Sequence, residues 1–580
     1  MKVRHIFVAF AALVSASNLV SAQDLNVTAE PLTKTYTGKL IEVHKPSFEM
    51  SVPDSLTSFE LDFDYSVFDQ PYKVAGSFTP YFLTMKPSPK LPGHKKFYLE
   101  AGAGYTIHPT LDLVWSPFRN DVFKMDVYAQ HRSYVGNYYT FTPSLPAEGT
   151  LKIKPDTDAE PWWGYDLMSA AGVDGRLELP AFSAGFDVSY HGLHSQNPVQ
   201  KRMYDALDAT FGLYSKPKNG SYFSYDVAAA YKFGRVADLV RTTEHLIDVD
   251  ANFGQVMSWG HRILVGIDAD IAMYPSVVGG QVSVIPHYAM KVGRWTLDAG
   301  FRISAIIRPK DSTGPFAARG QVAYPEIKVY YSVIPEAMRA YAHITGGNRL
   351  NTYASLLERN HQFAIVSPDM ISALSNTGAC GLNDVTVERV SATLGLEGRI
   401  GPDFNYDVRG GYACYGNGLF DKVGFYDGAS SSEASRYVPT FGYSPYQKLF
   451  VAMDWLLNLD FIQCDGTVKY QHVWGIRNSE GLFAPAALTC DVNCEYNWKK
   501  RIFAGVDCQF ATGRRGSVAG YYGDVVIPGY IDLGVNCEYA VNRVFSVWAR
   551  GGNLLNMAIQ RNPLFAEKGV SATVGICLNL

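Results

Sequence analysis

The chain has 580 residues, of which 47% are hydrophobic, 13% aromatic and 18% charged, and its formal net charge is −4. This slightly acidic balance excludes the basic surface that nucleic-acid binding needs. The sequence has no continuous apolar stretch long enough for a membrane-spanning helix. The 37 tyrosines are instead typical of a β-barrel with aromatic girdles at both membrane interfaces.

The first 22 residues have the three parts of a secretory signal peptide. Lys2 and Arg4 form the positive region, residues 6–14 form the apolar core, and residues 20–22 form a small-residue cleavage site. Residues 23–95 contain several prolines and little regular alternation. We therefore expect an exported protein with a periplasmic or lumen-threading N-terminal extension.

From residue 96 to residue 580, apolar side chains recur at every second position. The final segment, 570–580, has Val, Ala, Val, Ile, Leu and Leu at even positions and Ser, Thr, Gly, Cys and Asn at odd positions. This period predicts strands with one apolar face. At about 3.3 Å per residue, a tilted segment of this length crosses the ~25 Å apolar layer of an outer membrane. Counting all such segments predicts about 22 strands.

The connections between these segments alternate between short and long. Short ones, such as 293–294 and 401–402, carry Gly, Pro, Asn, Lys or Arg, whereas long ones include 347–387 and 416–446. This parity predicts an all-β fold: a transmembrane antiparallel β-barrel with short periplasmic turns and long extracellular loops. A soluble β-sandwich, the alternative, gives no reason for the parity.

The end of the chain resembles the last hairpin of TonB-dependent receptor barrels, in which an Asn-Leu-Leu stretch leads into the final strand. The matching residues are Arg550-Gly-Gly-Asn-Leu-Leu-Asn556, followed by Gln560 and Gly569. The resemblance implies a 22-stranded receptor-like barrel, similar to the plugless type of Bacteroidota. The sequence departs from the family by ending on Leu580 instead of an aromatic residue, and residues 23–95 are too few for a family plug.

The resemblance also implies partners. The barrel would be surrounded by outer-membrane lipid and inserted by the barrel-assembly machinery, and TonB or a lipoprotein would act on it. Six residues near the mature N-terminus are similar to the extended motif that pairs with TonB by strand addition. They are Asp24, Leu25, Asn26, Val27, Thr28 and Ala29.

No catalytic signature is present, since the sequence lacks G-x-S-x-G, H-E-x-x-H, C-x-x-C and Walker-type patterns. We therefore expect no enzyme activity, no cofactor and no metal site. All eight cysteines lie between Cys380 and Cys577. An exported chain with an even number of cysteines invites disulfides. Here the alternation places most of them on apolar faces, which predicts free, lipid-facing thiols: Cys414, Cys490, Cys494, Cys508 and Cys537.

Seven aspartates fall on the predicted lumen faces of neighbouring strands. If one turn centres on Trp259, Asp248 lies opposite Asp270 and Asp250 lies opposite Asp268. Like charges in such pairs must be offset by lumen water, by a bound cation, by lysines of residues 23–95, or by Lys232, Lys291 and Arg302. The full acidic cluster is Asp208, Asp226, Asp248, Asp250, Asp268, Asp270 and Asp298.

Within the long connection 347–387, residues 353–359 predict a short helix that caps the pore, with a flexible surface loop as the alternative. Together these features predict a barrel in the outer membrane of a Gram-negative-type bacterium. Its expected function is uptake or passage of a small hydrophilic solute, receptor-like and gated by a partner. The alternatives are a passive diffusion channel and a non-conducting assembly or scaffold barrel for a lipoprotein.

Overall fold

The computed structural model describes the greater part of the chain between residues 96 and 580. The described ranges are 96–105, 107–139, 150–153, 160–196, 201–217, 220–237, 241–257, 260–275, 277–307, 322–363, 385–426, 436–476, 481–517 and 524–580. The predicted signal peptide, the N-terminal extension and the TonB-like segment lie outside these ranges.

The described residues form strands and one short helix. The strands are β1 (Phe97–Tyr105), β2 (Thr110–Arg119), β3 (Phe123–Tyr138), β4 (Leu151–Lys152), β5 (Trp162–Glu178), β6 (Phe182–Gln196), β7 (Lys201–Ser215), β8 (Tyr222–Ala237), β9 (Arg241–Val256), β10 (Arg262–Tyr274), β11 (Val277–Val292), β12 (Trp295–Ile307), β13 (Ala323–Ile334), β14 (Met338–Leu350), β15 (Val385–Ile400), β16 (Phe404–Tyr426), β17 (Arg436–Asn458), β18 (Ile462–Trp474), β19 (Leu482–Phe483), β20 (Leu488–Trp498), β21 (Ile502–Ala511), β22 (Arg514–Gly516), β23 (Val525–Ile527), β24 (Tyr530–Ala540), β25 (Phe545–Gly552) and β26 (Ser571–Asn579); the helix, α1, is Tyr353–Arg359.

Twenty-two of these strands form the wall of a closed antiparallel barrel, which confirms the predicted fold and strand number. The first and last strands close the ring, because β1 pairs with β26 from Tyr98 opposite Asn579 to Tyr105 opposite Ala572. Successive wall strands are joined at one end by short turns such as 293–294 and 401–403. The long connections all lie at the other end, as predicted, but the strict alternation is wrong, because four connections at that end are also short: 106–109, 197–200, 238–240 and 275–276.

The outer surface of the barrel carries a belt of exposed apolar side chains. They follow the period of two, as in Ile263, Val265 and Ile267 of β10 and in Leu449 and Val451 of β17. Burying such side chains is worth about 25 cal/mol per Å² of apolar surface, so a belt of this size is stable only in contact with hydrocarbon. No helix in the described part of the chain is both long and apolar enough to span a membrane.

One prediction about the cysteines is wrong. Cys464 and Cys494 lie directly opposite each other on β18 and β20, with their Cα atoms 4.2 Å apart, and form a disulfide. Spacing along a single strand, as between Cys490 and Cys494, does not reveal a partner on the next strand. Cys577 is buried on the lumen face. The remaining described cysteines are free, as predicted: Cys414, Cys490, Cys508 and Cys537.

The Cys464–Cys494 bond gives a first testable expectation. Since it closes a loop of 30 residues, replacing both cysteines by alanine should lower the free energy of unfolding by about 2–4 kcal/mol. Peptide mapping under non-reducing conditions should recover the two cysteines in one linked fragment. Recovery of both as alkylated thiols would contradict the pairing.

Candidate functional site

A segment of the long connection after β14 crosses the inside of the barrel; we call residues 351–363 the bridging loop. Thr352 caps α1 by accepting a hydrogen bond from the backbone N–H of Ser355 at 3.2 Å. Leu356 and Leu357 of the helix are almost completely buried. They pack in an apolar cluster with residues from strands around the wall, including Met168, Leu193, Tyr204, Val236, Tyr274 and Phe441. The predicted helix is confirmed, and it lies within the barrel.

The bridging loop is fixed to opposite sides of the wall. His361 contacts Asp166 of β5 at 3.1 Å, and Arg359 contacts Asp421 of β16 at 3.2 Å. In strand order β5 and β16 are half the circumference apart. Two further wall residues hold its backbone. Glu244 accepts hydrogen bonds from the N–H groups of residues 353 and 354, and Arg202 donates to the carbonyl of residue 361 at 3.0 Å.

Four short strands extend this closure over the outer end of the barrel. The outer part of β16 pairs with β19, β19 pairs with β22, and β22 pairs with β23, which pairs in parallel with β4. Because β4 belongs to the connection between β3 and β5, this mouth sheet also runs from one side of the wall to the other. Its buried side chains include Val423, Phe483, Val525 and Ile527.

The connection between β25 and β26, residues 553–570, also folds inward; we call it the last loop. Arg561 contacts Asp532 of β24 at 2.9 Å and Glu567 of the loop itself at 2.6 Å. Phe565 packs on Tyr138, with 5.3 Å between ring centroids. Trp162 stacks on the same ring at 4.7 Å. These contacts hold the last loop against the wall from inside.

Two cavities lie on either side of the last loop. The inner cavity has a volume of about 580 Å³ and includes Ile559 in its lining, whereas the outer cavity, of about 350 Å³, is lined by Gln560 and Arg561. The same wall strands contribute to both, at positions two residues apart. The inner and outer members of each pair are Thr467 and Lys469, Asp491 and Thr489, Gln509 and Ala511, and Asp532 and Tyr530. Because two strand residues span about 7 Å, the last loop is a thin partition.

The inner cavity is strongly acidic. Arg132, Arg550 and Lys568 are its cationic lining residues, but Arg132 is paired with Asp112 and Arg550 with Glu100. Seven carboxylates line it: Asp407, Asp454, Asp465, Asp491, Asp507, Asp532 and Glu567.

Several of these carboxylates form a row across neighbouring strands. Register places Asp407 opposite Asp454, and Asp454 opposite Thr467. The row continues from Thr467 through Asp491 and Gln509 to Asp532. Arg409 offsets the repulsion at one end by contacting Asp407 and Asp454, both at 2.5 Å, and Arg561 does so at the other. Since barrel strands are tilted, the row climbs the wall from the periplasmic side towards the last loop.

The outer cavity has the opposite character. Asp421 is the carboxylate among its lining residues, against five cationic side chains: Arg359, Lys448, Lys469, Arg514 and Arg561. Asp421 contacts Arg514 of the mouth sheet at 2.7 Å as well as Arg359 of the bridging loop. Arg514 also donates to the backbone carbonyl of residue 561 in the last loop at 3.2 Å. Asp421 and Arg514 therefore connect all three parts of the closure.

Burial shifts the ionisation of two adjacent residues in the last loop. Loss of solvent raises the pKa of Glu567 to about 7 and lowers the pKa of Lys568 to about 8. In both cases the charged form is the one that burial disfavours. The partition therefore contains groups that titrate near neutral pH.

The structure brings the predicted acidic cluster together, but away from the cavities. Asp248 pairs with Asp270 and Asp250 with Asp268, as the sequence indicated. Part of the charge is offset within the wall, where Lys232 contacts Asp208 at 3.3 Å and Arg302 contacts Asp268. Asp270 accepts from Gln281 at 2.8 Å, Asp298 contacts His287 at 2.7 Å, and Asp226 and Lys291 are exposed. These residues lie on β7 to β12, on the side of the barrel opposite the cavities.

The residues that line the two cavities cannot be identified from the sequence, for a specific reason. The period of two assigns Asp491 or Lys469 to the lumen face of its strand, but it does so equally for every polar residue in the wall. What separates the cavity walls from the remaining lumen is the last loop, whose inward path has no periodic signal. In the described ranges, no group of three or more His, Cys, Asp or Glu side chains is arranged to hold a metal ion.

Comparison with known proteins adds evidence on the fold. No protein-family model matches the chain. No curated protein shows significant sequence similarity. Among solved structures, the iron transporter FrpB of Neisseria meningitidis aligns with a TM-score of 0.57 at 9% identity, over 84% of this chain and 82% of that one.

Two further structures are similar to the same extent. The copper transporter OprC aligns with a TM-score of 0.56 at 10% identity, over 85% of this chain and 84% of that one. The siderophore receptor PirA of Acinetobacter baumannii aligns with a TM-score of 0.55 at 9% identity, over 84% and 80%. The chain is an outer-membrane β-barrel. At these identities the likeness establishes the fold and leaves the solute open.

Proposed function

We propose that this barrel is a gated uptake receptor for a small hydrophilic solute, in which the loops at its outer end form the gate. The observation that carries the proposal is the path of the bridging loop, which is fixed to Asp166 on one side of the lumen and to Asp421 on the other. A passive channel needs an aqueous path between its walls. In this barrel a helix packs across the lumen, with Leu356 and Leu357 buried, and it blocks such an aqueous path.

The cavities define a route for the solute in two stages. A solute released from the outer cavity must pass the last loop, where Arg561 forms ion pairs with Asp532 and Glu567. It then enters the inner cavity, whose lining reaches residues near the periplasmic ends of strands, such as Leu456. Movement of residues 559–561 would join the two cavities, so we assign the gating step to this segment of the last loop.

The gate needs a source of energy or a partner. We propose that residues 24–29 pair with TonB by strand addition, as the sequence resemblance implies, with a lipoprotein partner as the alternative. The fold supports a receptor, because the similar solved structures are described as a siderophore receptor, an iron transporter and a copper transporter. These are transport proteins, which supports a function without enzyme activity.

Planar-bilayer recording tests the gate. The intact mature chain should give no steady conductance. A variant in which short Gly-Ser links replace residues 351–384 and 554–569, and also the connections 139–161, 475–487 and 512–529 that carry β4, β19, β22 and β23, should give a steady pore. Both inward-folded loops and the mouth sheet are then removed, while all wall strands remain. A third variant, which lacks only residues 23–95, controls for an N-terminal stopper.

Each alternative function predicts a different pattern of recordings. Steady conductance of the intact chain would indicate a passive channel. A pore that opens on removal of residues 23–95 alone would place the barrier in the extension instead of the loops. A variant that lacks both loops and the mouth sheet, and that folds but stays closed, would favour a scaffold barrel.

A further inference from the structure

We infer that the outer cavity binds a small organic anion and that Lys448 and Lys469 hold its negative charge. The inference rests on the proposed uptake function and narrows its solute to one charge class. It starts from the contrast between the two cavities, since five cationic side chains and one carboxylate line the outer one.

The arginines of the outer cavity already have carboxylate partners. Arg359 and Arg514 share Asp421, at 3.2 Å and 2.7 Å. Arg561 is held by Asp532 at 2.9 Å, and also by a glutamate of its own loop. These ion pairs account for the structural role of the arginines, and they leave the two lysines as the charges that the closure does not use.

Lys448 and Lys469 form no ion pair with any carboxylate in the described part of the chain. Both side chains are half-buried, and both line the outer cavity. Glu388 acts on Lys448 only from a longer distance. The ammonium of Lys448 instead lies 5.5 Å from the ring centroid of Tyr415 and 5.4 Å from that of Phe450. Two cations that line one sheltered cavity are unfavourable without an anion to offset their charge.

The size and the remaining lining of the cavity indicate the shape of that anion. A volume of about 350 Å³ lies at the lower end of the range of ligand pockets, ~300–1,000 Å³. Phe420, Tyr446 and Tyr530 present aromatic surface. Tyr446 is held flat by stacking on Tyr415, with ring centroids 4.3 Å apart and an interplanar angle of 8°. The fitting ligand is therefore a planar organic body that carries one or two carboxylate or phosphate groups.

The inner cavity explains why this anion is held above the last loop. Beyond Arg561 the wall presents the carboxylate row that includes Asp491 and Asp532. Like charges repel most strongly where water is scarce. An anion is therefore bound on the outer side and is not retained on the inner side, which suits a site from which solute is released inward.

Titration calorimetry on the full chain in detergent tests the site with three matched probes. They are isophthalate, neutral isophthalamide and cationic benzyltrimethylammonium. We expect measurable binding of isophthalate only. The double variant Lys448→Gln, Lys469→Gln should weaken that binding by roughly a hundredfold or more, since two charged hydrogen bonds are lost together. Lys291→Gln, an exposed lysine on the far side of the wall, should leave the affinity unchanged.

The same titrations are repeated on Asp421→Ala, which loosens the closure, with and without the two lysine substitutions. This shows whether limited access hides the site, and it separates binding by the lysines from binding by Arg359 and Arg514, which lose their partner in this variant. The inference is overturned by absence of isophthalate binding in both the wild-type and Asp421→Ala chains, by equal binding of the neutral probe, or by unchanged affinity in the double lysine variant. Failure of the proposed gate is distinguishable from failure of this inference. A chain that conducts steadily and still binds isophthalate through the two lysines would contradict the gate and support the anion site.

Discussion

Asp421→Ala is expected to release the bridging loop while leaving the barrel wall folded. Asp421 is buried and is the shared partner of Arg359 and Arg514. Removing one member of a buried ion pair costs about 3–5 kcal/mol, because the remaining charge loses its partner in a site poor in water. Here Arg514 loses its partner in a buried site, whereas the side chain of Arg359 is 42% exposed and its share is about 1 kcal/mol or less. The cost falls on the closure, since the strand pairing of β16 is made by backbone groups.

Limited trypsin digestion followed by mass spectrometry measures this effect at one bond. Cleavage after Arg359 requires local opening of α1, so its rate reports the free energy of that opening. A loss of about 1 kcal/mol at α1 should raise the rate roughly fivefold. Brief conductance events should also appear in bilayers, and the thermal midpoint of the barrel should change little.

Two control variants make the comparison specific. Asp268→Ala removes the partner of Arg302 in a wall ion pair on the other side of the lumen, and it should leave cleavage after Arg359 unchanged. Asp421→Glu keeps the charge and should restore most of the protection. Equal cleavage rates in Asp421→Ala and the wild type would show that the apolar packing of α1 alone holds the bridging loop.

The wall of the barrel could be predicted from sequence because its structure repeats a local rule. Successive side chains of each strand point alternately to the lipid and to the lumen, so the sequence of residues 263–273 is enough to assign both faces of β10. Register follows from the turns, which is why Asp248 opposite Asp270 was found correctly. Closure by β1 and β26 follows from parity and strand number. None of these steps needs a contact between distant residues.

The closure and the cavities could not be predicted for the opposite reason. His361 contacts Asp166 across 195 residues of sequence, and Gln560 donates to the carbonyl of Ile153 across 407. Each contact depends on where a loop enters the lumen, which neither spacing nor alternation encodes. The disulfide was missed in the same way, since Cys464 and Cys494 meet only through strand pairing. The sequence therefore identifies lumen-facing residues, and the loops decide which of them form a site.

The second large effect concerns the apolar belt, which Leu394→Arg should disrupt. Leu394 lies on β15 with 68% of its side chain exposed on the outer face of the barrel. An arginine on the lipid face near mid-membrane costs about 2–4 kcal/mol, and less near the interfaces. We therefore expect a loss of about 2 kcal/mol in the free energy of folding into phospholipid vesicles, measured by urea titration and by the migration of unheated samples on gels.

The adjacent residue supplies the matched control. Thr393 points to the opposite face, because successive strand side chains alternate, and its cross-strand neighbours are His343 and Gly411. Thr393→Arg should therefore place the same charge in the polar lumen and change the folding free energy by less than about 1 kcal/mol. The difference between these neighbouring substitutions measures what covers the outer face. If hydrocarbon covers the belt, Leu394→Arg should lower the folding free energy much more than Thr393→Arg. Equal effects of the two substitutions would mean that water or another protein layer lies against the belt.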